Sequence, residues 1–206
     1  GVTDSGYFIA FEGGDGAGKS TQVGHLVAAL EAAGREVVVT RQPGGTALGA
    51  ALRDLVLHGE HITPRAEALV FAADKAQHVE EVILSSLRRG AVVVTDRYVD
   101  SSVAYQGAGR ALGAQEVADL QSWAVAGLTP HLTVVVDVDP ATGRQRRGDT
   151  HDRMESEADG FHAAVREHFL TMAKGEPARY LVVDGSAPAE EIAGQVRERL
   201  QQEGLL

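Results

Sequence analysis

The chain has no cysteine among its 206 residues, which excludes disulfides, thiolate metal sites and a cysteine nucleophile, and fits a reducing compartment. No apolar run approaches the roughly 20 residues that cross a bilayer as a helix. The opening residues also lack the basic and apolar regions of a secretory signal, so the expectation is a cytoplasmic protein. A basic excess is missing too. Nineteen Lys and Arg against 29 Asp and Glu give a formal net charge of −10, which opposes general binding to nucleic acid or anionic membrane, since both need a basic footprint. Small substrates fit such a chain better than polymers. Internal repeats, low-complexity tracts and linkers are also missing, so residues 1–206 read as a single domain, long enough to bury a sizeable core. Eight histidines are scattered; only His58 and His61 are close, with no aspartate or cysteine at ligand spacing, and they read as a loop pair rather than a metal site.

What is present is a glycine-rich loop, Gly13-Gly14-Asp15-Gly16-Ala17-Gly18-Lys19-Ser20-Thr21, after the apolar run Tyr7 to Phe11 and before a helical pattern. Gly13 and Gly18 let the backbone turn its N–H groups onto anionic oxygens. Lys19 can reach the β and γ phosphates of a nucleotide, and Ser20 can hold Mg²⁺. The helix starting near Lys19 aims its positive end at the same place. A ligand-free glycine turn would leave Lys19 and Ser20 unexplained.

Short β-rich runs alternate with helical patterns along the chain, the signature of a parallel sheet covered on both faces. Strands are expected at Tyr7 to Glu12, Glu36 to Thr40, Ala91 to Thr95, Leu132 to Val138 and Tyr180 to Asp184. Helices are expected over Lys19 to Ala33, Leu48 to Leu57, Pro64 to Arg89, Ala114 to Ala126, Pro140 to Arg147, Ser156 to Ala173 and Pro188 to Glu203. The longest begins on a Thr63 cap with Pro64 at its first position, and Ala66, Leu69, Val70, Ala73, Ala76, Ile83 and Leu87 form its apolar stripe.

Three of these strands end in aspartate: Asp96, Asp137 and Asp184. Ligands of open α/β sheets sit beyond the carboxyl ends of the strands, so each is a candidate partner of Mg²⁺ or its waters. Asp96 is favoured because Arg97 and Tyr98 follow, adding a guanidinium for phosphate; Asp184 reads as the cap of a turn. Arg41-Gln42-Pro43-Gly44-Gly45-Thr46 follows the second strand and offers another arginine at a sharp turn. Arg53 reads equally as a solvated helix residue or as a second anion contact. Ser102, Tyr105 and Gln106 share one face of a helical turn and suit a flat heterocycle with hydrogen-bonding edges. Phe71 and Lys75 form a second such pair, although Phe71 alone reads as core. Arg144, Arg146, Arg147 and Arg153 cluster in an otherwise acidic chain, either as a solvated loop or as a lid that brings a cation to a transferring phosphoryl group and excludes water.

Together these motifs resemble the thymidylate kinase family, bacterial type, over essentially the whole chain. The resemblance rests on Phe11 to Thr21, Arg41 to Thr46, Phe71 to Val79, Asp96-Arg97-Tyr98 running to Gln106-Gly107, and the arginines up to Arg153. It implies an α/β P-loop nucleoside monophosphate kinase fold, with a five-stranded parallel sheet flanked by helices and a short lid at about 144–155. The implied reaction moves a phosphoryl group from ATP·Mg²⁺ to dTMP in a homodimer. By position, Gly13 to Thr21 would bind ATP, Ser20 and Asp96 would serve Mg²⁺, and Asp15 would face the acceptor sugar. Arg41, Arg53 and Arg97 would hold the monophosphate beside Gln42 and Pro43. Phe71 would stack on thymine, Lys75, Ser102 and Gln106 would read its edges, and Tyr105 would crowd the 2′ position. Lys19, Asp96, Arg97 and a lid arginine, Arg153 first and Arg147 second, would act on the transition state.

Three departures stand out. Gly16 occupies a place where some members carry arginine, Gln42 replaces a usual glutamate, and Lys75 replaces a usual arginine, losing its planar fork. Rival expectations are a kinase of the same fold acting on another nucleotide or nucleoside, and a non-catalytic nucleotide switch. The switch is disfavoured by the lack of an Asn-Lys-x-Asp run for guanine and of an effector segment.

Overall fold

The computed structural model of the protein describes residues 6–148 and 151–206. Five parallel strands, β1 (Tyr7–Glu12), β2 (Val37–Arg41), β3 (Val92–Asp96), β4 (Leu132–Asp137) and β5 (Tyr180–Asp184), stand in the order β2-β3-β1-β4-β5. β1 lies in the middle, Ile9 opposite both Val94 and Leu132, and all six of its residues are buried. That is why it reads as an unbroken apolar run, whereas edge strands β2 and β5 are only partly covered.

Alternate residues of the strands feed two cores. Ile9, Phe11, Val94, Val134 and Val136 pack against Leu26 and Leu30 of α1 (Lys19–Ala32) and Ile192, Val196 and Leu200 of α9 (Ala189–Gln202). On the opposite face Phe8, Ala10 and Val93 meet Val79, Ile83, Leu87 and Tyr98. Beside them Phe71, Tyr105, Met154, Val165 and Phe169 form a further cluster, brought together by α3 (Pro64–His78) and α8 (Asp159–Gly175).

Local chemistry sets the helix starts. Thr46 accepts from Gly49 N at 2.9 Å to open α2 (Ala47–His58), Thr63 caps α3, and Asp139 accepts from Thr142 N at 2.9 Å before Pro140 opens α7 (Pro140–Arg147). α3 runs through a π-helical segment, Val79–Ile83, into α4 (Leu84–Arg88). The single long helix expected from Pro64 to Arg89 is therefore continuous in direction but changes its winding in the middle. Its apolar stripe also turns out differently: Leu69 is 58% exposed, and the face turned inward carries Glu67, Phe71, Asp74, Lys75 and His78. A short helix α5 (Val99–Ser102) and a second π segment (Val103–Gly109) follow β3, where the sequence had offered only a helical turn; α6 (Ala114–Ala124) comes next. The penultimate helix starts at Asp159 rather than Ser156, because residues 153–156 turn instead, with Asp152 accepting from the N–H groups of Met154 and Glu155, both at 2.9 Å. Of the expected lid, residues 149 and 150 lie outside the described residues.

Leu30, fully buried between the sheet and α9, tests this packing. Leu30→Ala should destabilise the protein by about 2–5 kcal/mol in urea unfolding, while Glu31→Ala on the exposed side of the same helix should stay within about 0.5 kcal/mol.

Candidate active site

The carboxyl ends of β1, β2 and β3 converge on the glycine loop. Gly13 has φ +137°, and a Cβ there would stand 2.3 Å from the Val136 carbonyl oxygen, so only glycine lets the chain leave β1 past β4. Gly18 precedes α1, and no acidic residue occupies that helix's first turn, which keeps its positive end free for an anion. Lys19 is 8% exposed and folds back over the loop, donating to the carbonyls of Gly13 (3.3 Å) and Gly14 (3.1 Å). Burial, with help from neighbouring Arg97, pushes its ammonium down to about 8.

In front of the loop opens a hollow of about 830 Å³, lined by residues 15–21 together with Arg41, Gln42, Arg53, Asp96 and Arg97. The three strand-end aspartates separate here. Arg166 grips Asp137 with two hydrogen bonds of 2.8 and 3.0 Å, and Asp184 accepts from Ser186 N and Oγ. Asp96 faces the hollow, and its carboxylate has no hydrogen bond or ion pair among the described residues. No group of three or more His, Asp or Glu side chains forms a metal cage among the described residues. A lone free carboxylate beside a loop serine matches a cation that keeps waters and takes its remaining ligands from substrate phosphates.

A second cavity, of about 540 Å³, adjoins the first. Asp15, Gln42, Arg53 and Arg97 line both. Its other walls include Pro43, Phe71, Lys75, Ser102, Tyr105 and Gln106, so every residue expected on the acceptor side lines it except Arg41, which faces the loop hollow. The mixture of aromatic and polar walls suits a flat heterocycle with hydrogen-bonding edges. Sequence reasoning did not single out Leu57, Asp152 and Met154, which also line it.

Arg97 joins the two cavities. Its backbone is left-handed, φ +72°, a costly state for a side chain of this size. It is held there by Arg97 N donating to Phe11 O at 2.9 Å and Arg97 O accepting from Thr95 Oγ1 at 2.9 Å. The guanidinium donates to Gly13 O (3.0 Å), Ser101 Oγ (2.9 Å), Asp15 Oδ1 (3.0 Å) and Tyr105 OH (3.3 Å), and lies 5.1 Å from the Tyr105 ring centre. Burial alone would disfavour its charge, but Tyr105, Asp15, Asp96 and Glu12 around it more than offset that. Asp15 responds in kind: burial works against its carboxylate, yet Arg97 and Lys19 hold it below the usual range. Behind Arg97, buried Glu12 accepts from Tyr98 N, Ser101 N and Ser101 Oγ. Burial and the nearby Asp100 push the Glu12 carboxyl up to about 8.

The turn after β2 contains a cis Gln42–Pro43 bond. Gln42 Nε2 lies 2.8 Å from His78 Nδ1, and His78 Nε2 lies 2.5 Å from Thr40 Oγ1. Burial and Lys75 push His78 down to about 4, so a neutral ring supports Gln42. Gly45 is required beside it, since a Cβ would meet His78 Nε2 at 2.4 Å. Arg53 donates to Pro43 O at 2.9 Å; burial and the like charge of Arg41 push its guanidinium down. Lys75 is 1% exposed, donates to Ser102 Oγ at 2.7 Å and sits 5.4 Å from the Phe71 ring centre. Burial brings its ammonium down to about 8. Phe71 thus both packs in the core and presents a face to the cavity.

The arginines after β4 are divided among different jobs. Arg146, which sequence reasoning did not separate from its neighbours, donates to the carbonyls of Gly16, Ala17 and Gly185. Arg147 lines a recess with Gly13, Gly14, Asp15 and His162, its Nε buried without a partner among the described residues. Arg153 reaches the other way: its guanidinium donates to Gly59 O at 2.9 Å and to Glu60 O, beyond the end of α2. Arg144 pairs with Asp159 at the surface. The inward side chains of α3, Glu67, Asp74 and His78, were also missed as site supports. Their spacing with Phe71 and Lys75 on one helical face is the signal that could have found them.

A model of the family described as thymidylate kinase matches residues 11–196. The chain belongs to the thymidylate kinase family. It is 56% identical over 201 residues to the thymidylate kinase of Clavibacter michiganensis subsp. michiganensis, covering 96% of this chain and 95% of that one. The thymidylate kinases of Bifidobacterium longum, at 50% with 96% and 98% covered, and Thiobacillus denitrificans, at 46% with 95% and 97% covered, are similar throughout their length. Membership makes the protein a nucleoside monophosphate kinase.

The lowered Lys19 has a measurable consequence for this family member. A bound phosphate favours the ammonium and raises its pKa, so ATP affinity should be level below about pH 8 and fall above it, by up to about tenfold per pH unit until the pKa of the complex is reached. Calorimetric titrations between pH 7 and 9.5 check this; an affinity flat across that range refutes it.

Proposed function

We propose that the protein transfers the γ-phosphoryl group of ATP to dTMP, giving dTDP and ADP, with the donor on residues 13–21 and the acceptor in the adjoining cavity. The observation that carries this is the shared wall: Asp15, Gln42, Arg53 and Arg97 belong to both hollows, so phosphates entering from the two sides meet at two shared guanidiniums, Arg53 and Arg97. Phosphoryl transfer asks little proton chemistry of the protein and much positioning and charge neutralisation. Lys19 and the loop amides hold the donor phosphates. Arg41, Arg53 and Arg97 hold the acceptor phosphate and screen the repulsion between the two anions. Phe71 stacks on the base, Tyr105 excludes a 2′-hydroxyl, and Asp15 faces the sugar. Ser20 and Asp96 are the residues that would hold Mg²⁺, which supplies charge neutralisation across the transferring group.

For the lid arginine, the positions favour Arg147 over Arg153. Arg147 flanks the loop with a free buried Nε, whereas Arg153 is engaged with carbonyls past α2. Arg147→Ala should lower kcat by about 100-fold or more with KM for dTMP changed less than about threefold, as for a charge used in the transition state; a larger loss in Arg153→Ala would return the role to Arg153. ADP release with dTMP, dUMP, dCMP, GMP and thymidine tests the acceptor, and the fastest turnover is expected with dTMP. Preference for any other member of that panel overturns the assignment.

The homodimer implied by the family is supported by apolar side chains left outside. Leu48 and Leu55 of α2, Leu69 of α3 and Trp123 of α6 are 46%, 59%, 58% and 82% exposed, and α3 packs against both neighbouring helices. A second copy would cover them. Sedimentation velocity should give a dimer that Trp123→Glu shifts toward monomer. A monomeric parent protein refutes the dimer.

A further inference from the structure

We propose that Glu67 is a positioning residue for base selection: it fixes the side-chain amide of Gln106 with its oxygen, not its nitrogen, toward the acceptor base. The inference deepens the reading of this cavity as the dTMP site and rests on it.

An amide can present either a donor or an acceptor, and its two ends have nearly the same shape. At Gln106 the choice is made by what lies behind it. Gln106 Nε2 stands 3.0 Å from Glu67 Oε1, and both residues are 1% exposed. The Glu67 carboxylate is held by Arg110, Nε to Oε1 at 3.1 Å and Nη2 to Oε2 at 3.4 Å, and a carboxylate bound to a guanidinium only accepts. Turning the amide over would set oxygen against oxygen in a buried site. Arg110 is itself fixed, by Glu157, by the Met154 sulfur and by the Phe161 ring 4.9 Å away, so Glu67 has no easy way to yield. Gln106 Oε1 is left buried with no partner, on a side chain that lines the cavity with Lys75 and Ser102.

That wall therefore offers one fixed acceptor, Gln106 Oε1, and one cationic donor, Lys75 Nζ, whose one hydrogen bond among the described residues goes to Ser102. Thymine answers with an N3–H donor flanked by carbonyl acceptors. Cytosine has an acceptor at N3 and an amino group at C4, so it would set lone pair against lone pair and leave buried groups unpaired, the arrangement that discriminates most strongly. The pair does not separate thymine from uracil, whose imide edge is the same.

The experiment compares kcat/KM for dTMP and dCMP in the wild type, Glu67→Met and Glu67→Gln. Methionine keeps the length but removes the acceptor, freeing the Gln106 amide to turn, while Arg110 retains Glu157. The dTMP/dCMP ratio should fall by about tenfold or more in E67M, with dCMP turnover retained or improved. Glutamine can keep an oxygen where Oε1 stands, so the E67Q ratio should remain within about threefold of wild type. A merely structural role would lower both acceptors together, and an unchanged ratio in E67M overturns the proposal. Should E67M not fold, the free wild-type protein still decides. Its Gln106 side-chain amide protons, assigned in ¹⁵N spectra by their loss in Gln106→Met, should be protected from exchange before any nucleotide is added. Fast exchange there overturns it equally. A wild type that ignores dTMP instead refutes the acceptor assignment, a separate result.

Discussion

The site is organised around a single guanidinium. Arg97 sits where β3 ends, in a backbone conformation that sterics penalise, and its side chain touches the glycine loop, the carboxylate of Asp15, the hydroxyl of Ser101 and the ring of Tyr105. The penalty, of order 1–3 kcal/mol, is offset by hydrogen bonds on both sides of the strained residue and by Glu12, which gathers Tyr98 N, Ser101 N and Ser101 Oγ just behind. Glu12 closes β1 and Asp96 closes β3, on neighbouring strands. The register of the sheet is thus what brings the loop, the strained arginine and the helix carrying Tyr105 to one point. Arg97 and Lys19 are turned onto loop carbonyls and Asp15. On the proposed function, an arriving phosphate would exchange those partners for its own oxygens rather than order new side chains.

The architecture could be read from the sequence because its cause is local. A buried parallel strand needs a continuous apolar run, and β1, β3 and β4 each have one; the caps Thr46, Thr63 and Asp139 stand immediately before their helices. The loop was readable for the same reason, since its backbone work is done by glycines at fixed offsets. Asp96, Asp137 and Asp184 show where local reading stops. All three end a strand, and only the tertiary partners, Arg166 for Asp137 and Ser186 for Asp184, leave Asp96 as the free carboxylate.

The long helix from Pro64 shows a different obstacle. Counting apolar positions put Leu69 inside, yet the face that meets the domain carries Glu67, Phe71, Asp74, Lys75 and His78. Hydrophobic periodicity finds the buried face of a helix only when that face is apolar; here it borders a cavity and carries charged and polar side chains. With that face polar, Leu69 is left exposed, as are Leu55 of α2 and Trp123 of α6. A polar stripe toward the cavity thus goes with apolar side chains exposed on the outer sides of α2, α3 and α6.

Gly16 ties the loop to α7 in a way that neither segment reveals alone. Its φ is +78°, and a Cβ there would lie 2.7 Å from the Gly143 carbonyl oxygen and 3.1 Å from Arg146 Cβ. α7 therefore rests directly on the loop, with Gly143 permitting the approach and Arg146 latching it through the Gly16 and Ala17 carbonyls. A side chain at position 16 cannot coexist with α7 in this place. Because Arg147 follows Arg146 on the same helix, the contact that excludes an arginine from the loop also delivers one beside it. The position of the cation is then set by helix packing rather than by a mobile loop. If Arg147 has the role proposed for it, the small residues at 16 and 143 would matter to phosphoryl transfer as much as the arginine they position.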